Sequence, residues 1–168
     1  MPVMTLRSLA APAARLFGLE RRPRWSEKEP DIRRTSAALW IDATHASMAR
    51  LGAFVRRFVL AGNAADAEAL ADRFELAVHE LAVNVADHAY RGAGGSLTVV
   101  LEWDGTELRA HLVDEGRGFD PDVLGPVDLT QPHEHGYGLY LVNALADRVD
   151  YRRANNRNTW TVAIFASA

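Results

Sequence analysis

The stretch HELAVNVADHAY places Glu80, Asn84 and His88 four residues apart. On a helix this spacing stacks side chains along one face. A carboxylate there can take a proton from a hydroxyl or from water. An amide oxygen is a hard, neutral ligand for Mg²⁺, which binds through few protein groups plus waters and phosphate oxygens. A solvated helix face is the alternative reading. Against it, the neighbours Ala77, Leu81, Ala82, Val83 and Ala86 are small or apolar, whereas an exposed face carries mostly charged residues. His88, close to the expected helix end, reads as a packed or capping histidine.

Two further stretches carry chemistry-bearing types. In VDEGRGFDP, Asp114, Gly116 and Gly118 alternate directly after an apolar run. Alternating glycines let a planar or anionic ligand approach the backbone, and Asp114 can accept a hydrogen bond from an exocyclic amine. A glycine-rich turn with Asp114 as its turn acid is the other possibility. In HGYGLYLVNALADRV, Gly136 and Gly138 open an apolar helical pattern. Free N–H groups and the helix dipole at such a start suit phosphate; a loose helix start suits the same pattern. The HEH stretch, His133 to His135, lacks a fixed third ligand and reads as part of a solvated loop rather than a metal site.

These residues need elements to position them. TSAALWI (Thr35 to Ile41) reads as a strand. Asp42 or Thr44 caps a helix to about Leu60, with Met48, Leu51, Phe54, Val55 and Phe58 on one stripe. A second helix runs from about Ala65 to Ala89, and Arg91 to Gly95 stops it. SLTVVLEWDGTELRAHLVD reads as a hairpin turning at Asp104-Gly105. A long polar loop from Phe119 to about His135 leads to a helix ending near Arg148, then to two strands, VDYRR and TWTVAIF. The order predicts an α/β two-layer sandwich: a mixed, mainly antiparallel sheet with helices on one face.

The 168 residues suffice for one domain with a sizeable core. A net charge of −3 argues against nucleic acid as the main partner. The absence of cysteine excludes disulfides and thiolate metal sites and fits a reducing compartment. No apolar run is long enough to span a bilayer. Residues 1–30 are expected to form a flexible tail, with an interaction helix over Leu6 to Phe17 as the alternative, and residues 31–168 the functional domain.

The order HELAVNVADHAY, DEGRGFDP, HGYGLYLV and NTWTVAIF resembles the GHKL (Bergerat) ATP-binding fold shared by gyrase B, a heat-shock chaperone and histidine kinases. ELAVNVADHAY and the short lid are most similar to the RsbW-like anti-sigma-factor serine/threonine kinases, and the resemblance covers about Ser36 to Phe165. It implies ATP and Mg²⁺ as cofactors, Glu80 as general base and Asn84 as Mg²⁺ ligand. It also implies Asp114 as reader of the adenine amine, with Gly116 and Gly118 shaping that wall. Gly136 and Gly138 would lie beside the triphosphate, and Thr159 would join Asp114 at the adenine. The implied activity is that of a cytoplasmic anti-sigma factor that phosphorylates a STAS-type antagonist, sequesters a sigma factor, and pairs as a homodimer through its first strand and helix, with Leu39, Ile41 and Phe54 as candidate surface residues. A nucleotide-gated binding module with little catalysis is the alternative.

There are departures from the family pattern. Asn158 stands where the family usually has glycine, which suggests a position needing positive φ. His135 replaces a small residue. The lid, Asp122 to His135, holds no Lys or Arg, so a phosphate clamp would have to come from Arg117, Arg91 or a partner. The 35 or so polar residues upstream are not expected to build the phosphoacceptor hairpin of a histidine kinase, nor is a gyrase-like transducer expected downstream.

Overall fold

A computed structural model describes residues 35–62, 64, 66–91, 94–119 and 137–166. The tail over 1–30, the lid, Gly136 and His133 to His135 lie outside them. The elements are β1 (Thr35–Asp42), α1 (His45–Leu60), α2 (Ala67–Asn84) continuing into a π-helical turn (Val85–Ala89), β2 (Ser96–Trp103), β3 (Glu107–Asp114), α3 (Tyr137–Leu145), β4 (Arg148–Ala154) and β5 (Arg157–Phe165). The strands form one sheet in the order β1-β2-β3-β5-β4, and every ladder is antiparallel.

Period-2 patterning puts Leu97, Val99, Leu101, Leu108, Ala110, Leu112, Trp160, Val162 and Ile164 on the inner face, all buried. On α1, Met48, Leu51, Phe54, Val55, Phe58 and Val59 cover that face; on α2, Leu70, Phe74, Ala77, Val78 and Leu81 do. Each large apolar side chain so buried contributes roughly 1.5–3 kcal/mol. Ile41 and Phe54 are therefore core residues, 6% and 2% exposed, and not the surface residues expected of them. The exposed aromatic of β1 is Trp40, 47% exposed on the face turned away from the helices.

The turns follow local chemistry. Asp104 Oδ1 accepts the Thr106 and Glu107 N–H groups (3.1 and 2.9 Å), and Gly105 has φ +98°. The β2–β3 connection is thus a three-residue loop rather than a two-residue turn. Asn155 and Asn156 turn β4 into β5 with φ of 51° and 60°, a conformation Asn tolerates better than most residues. The helix α3 stops three residues before the expected Arg148. Arg73 of α2 donates to the Leu145 carbonyl, and Asp147 pairs its N–H with Ala163 O (2.9 Å) and its carboxylate with Phe165 N–H (2.8 Å).

Candidate functional site

The helix α2 delivers Glu80 and Asn84, both half-buried, to the start of α3. The point of convergence is Gly138, the second residue of α3. A Cβ there would lie 3.1 Å from Glu80 Oε2, 3.1 Å from Asn84 Nδ2 and 3.2 Å from Asn84 Oδ1. Leu139 and Val142 anchor α3 in the core, while Arg73, ion-paired to Asp147 at 3.1 Å, fixes its other end. An acid and an amide therefore face a helix N-terminus whose first N–H groups have no intrahelical partner.

Directly after Asn84 the helix widens into the π turn Val85–Ala89. Such turns insert residues and recur at functional sites. His88 lies within this turn and is exposed. The turn brings the chain to the loop after β3. Ala89 O accepts the Arg117 N–H (3.0 Å), and the Tyr90 hydroxyl accepts the Glu115 N–H (3.1 Å) while donating to Ser96 O (2.9 Å). Gly116 is needed for this approach. Its Cβ would lie 2.7 Å from both Ala89 Cβ and Ala89 O, too close for any side chain. Gly118 is exposed and lies against Arg153. Arg91 and Arg117 are exposed as well.

Asp114 ends β3 on the inner face, 2% exposed. Its Oδ1 accepts the Gly116 N–H (2.8 Å) and the Asn158 Nδ2 (2.7 Å). Its Oδ2 is buried without a hydrogen-bond partner. Burial pushes the carboxyl above its ordinary value; the hydrogen bonds from Asn158 and Gly116 and the charge of Arg153 pull the other way, and Glu115 adds to the push. Thr159 does not join it. Asp114 is opposite Asn158 in the ladder and Thr159 opposite Val113. Directly opposed residues share a face and successive ones alternate, so Thr159 lies on the outer face. Asn158 takes its place beside the carboxylate. Nor does Asn158 have positive φ; among the described residues the non-glycine ones that do are Arg91, Asn155 and Asn156.

The sequence profile described as histidine kinase-like ATPase domain matches residues 41–164. The chain belongs to this family. Membership of an ATPase family implies use of ATP. The ATPase domain is 35% identical over 83 residues to the serine-protein kinase RsbW of Bacillus cereus, covering 45% of this chain and 52% of the relative. It is 35% identical over 86 residues to that of Halalkalibacterium halodurans, covering 46% and 52%. The chain thus spans about half the length of the curated relatives it matches. The RsbU and RsbW domains of Rv1364c from Mycobacterium tuberculosis share the fold, with a TM-score of 0.56 at 18% identity over 76% of this chain and 31% of that one.

For this ATPase domain the residues fit the expected nucleotide. A buried, unpartnered carboxylate oxygen suits a donor such as an exocyclic amine, because a buried acceptor left unmade is costly. The missing side chain at Gly138 leaves room beside Glu80 and Asn84. One amide and one acid suit a hydrated cation shared with phosphates rather than an all-protein cage; no cluster of three or more His, Cys, Asp or Glu occurs among the described residues. Sequence reasoning missed Tyr151 and Arg153, which hold Asn158. Their signal was weak: the arginine reads as surface charge and the tyrosine as one of several β residues.

Proposed function

We propose that the chain is a cytoplasmic anti-sigma factor and ATP-dependent protein serine/threonine kinase acting on a STAS-type antagonist. The observation that carries the reading is the convergence of Glu80 and Asn84 on Gly138. Glu80 accepts the proton of the attacking serine hydroxyl. Asn84 would hold Mg²⁺, which when bound would supply positive charge beside the phosphates. The amides at the start of α3, with Gly136 and Gly138, cradle the phosphates, and Asp114 Oδ2 accepts from the adenine amine. Gly116 holds the loop that carries this wall, with Gly118 following it. The ATPase family, the RsbW relatives and the spacing of these residues support the reading. The domain reading is residues 31–168 as this kinase domain and 1–30 as its tail. No helix among the described residues is long and apolar enough to cross a membrane.

Single-turnover transfer from Mg-ATP to STAS-domain proteins of the source cell tests the proposal. A phosphoserine or phosphothreonine on one of them is the expected result. A chain that binds ATP and such a partner but transfers nothing is instead the nucleotide-gated binding module, which the Lys- and Arg-free lid from Asp122 to His135 favours.

The proposal includes a homodimer through β1. This strand is one edge of the described sheet, where unpaired backbone groups invite a partner, and Trp40 adds an exposed aromatic surface. Light scattering at micromolar concentration is expected to give a dimer for the wild type and a monomer for Trp40→Arg. A monomeric wild type would remove the dimer from the reading.

A further inference from the structure

Asn158 is 1% exposed and every polar capacity of its side chain is used. Nδ2 donates to Asp114 Oδ1 (2.7 Å) and to the carbonyls of Arg117 (2.9 Å) and Gly116 (3.3 Å). Oδ1 accepts from the Tyr151 hydroxyl (2.8 Å) and from Arg153 Nη1 (2.6 Å). The amide can face only one way. A guanidinium only donates, and a carboxylate or carbonyl only accepts. The Tyr151 hydroxyl is oriented too, since it accepts the Phe119 N–H at 2.8 Å and must give its own proton to Asn158. Its ring is wedged against Phe119 and Trp160, with centroids 5.5 and 4.7 Å away.

We propose that Asn158 is a positioning residue that sets nucleobase specificity, holding Asp114 so that its Oδ2 is the single open acceptor, matched to an exocyclic amine and mismatched to a 6-oxo base. The inference rests on the reading of Asp114 as the group that meets the base. Asn158 does two things for that carboxylate. It supplies a neutral donor to Oδ1, which with the Gly116 N–H saturates that oxygen. It also stands between Asp114 and Arg153, whose guanidinium is spent on Asn158 Oδ1, Gly116 O (3.0 Å) and Asn156 Oδ1 (2.7 Å). Without the carboxamide, Arg153 has lost one acceptor and the nearest buried anion is Asp114. An arginine paired there would cover the oxygen the base needs. A glycine at 158 gives neither the donor nor the spacer.

Calorimetric titration of the full chain with Mg-ATP and Mg-ITP, which differ in amine against 6-oxo, tests this. The wild type is expected to prefer ATP by at least about 10-fold, the cost of facing a buried acceptor with another acceptor. Asn158→Ala is expected to weaken ATP by about 10-fold and to bring the two nucleotides within roughly threefold of each other. Loss of folding alone would weaken both nucleotides equally, so the ratio separates positioning from stability. Should Asn158→Ala not fold, Tyr151→Phe removes one bond to Asn158 Oδ1 and should lower the ratio by about two- to threefold. A ratio within about 1.5-fold of wild type in the folded variants overturns the inference while leaving Asp114 as the base reader. A wild type that binds neither nucleotide removes the reading of Asp114 itself, and this inference with it.

Discussion

Glu80→Gln is expected to bind Mg-ATP within about twofold of wild type and to lose roughly 10²–10⁴-fold in phosphate transfer. The substitution keeps length, planarity and one carbonyl-type oxygen, so the space beside Gly138 and the position of Asn84 one turn on are undisturbed. What it removes is the ability to take a proton. Glu80 belongs to the α2–α3 contact, whereas base recognition is assigned to Asp114 at the end of β3. Calorimetry and single-turnover transfer to the STAS partner therefore separate binding from chemistry. A variant that transfers within a few-fold of wild type would show that Glu80 is not the base. A variant that loses ATP affinity in proportion to transfer would assign Glu80 to ground-state binding.

Much of this arrangement was legible from periodicity. Apolar residues at helical spacing located α1 and α2, and strict alternation located the β2–β3 hairpin, because one buried face per element imposes periods of 3.6 and 2. What was missed depends on partners distant in sequence. The helix pattern continues past Asn84, and nothing local announces the π turn. It is held by the bonds of Ala89 and Tyr90 to a loop some 25 residues on. The end of α3 is set by Arg73 and Ala163, not by its own residues.

The pleat sets Thr159 and Asp114 on opposite faces of the sheet. Asn158, Trp160, Val162 and Ile164 share parity, and three of them are plainly core. Strand alternation therefore puts position 158 on the inner face and 159 on the outer. An inward, buried Asn at the sheet's functional end demands partners, and Asp114 is opposite it in the ladder. The family resemblance implies the threonine, whereas the pleat puts Asn158 beside the carboxylate.

Asp114→Asn is expected to weaken ATP by about 1–3 kcal/mol without destabilising the fold, and the surrounding bonds say how. Two donors, the Gly116 N–H and Asn158 Nδ2, occupy the Oδ1 position, so the new amide must place its oxygen there and its NH₂ where Oδ2 was. The group meeting the base becomes a donor, which opposes an amine and suits a 6-oxo base, so ITP should gain on ATP. Stability should hold or rise. Because burial raises the folded-state value of Asp114, the folded chain binds a proton more tightly there than the unfolded chain does. Its charge then costs stability in full above that raised value; the cost shrinks as pH falls through it and is gone only below the ordinary Asp value. The same protonation bears on binding: with Oδ1 held by two donors, the proton goes to Oδ2 and blocks the acceptor. Wild-type ATP affinity should therefore fall on acidification through a point above the ordinary Asp value, and the Asn variant should lack that component. Phosphate titration is common to both proteins, so the ratio of their affinities across pH isolates it. A ratio that stays constant with pH, together with an unchanged preference for ATP over ITP, would mean that Asp114 does not meet the base.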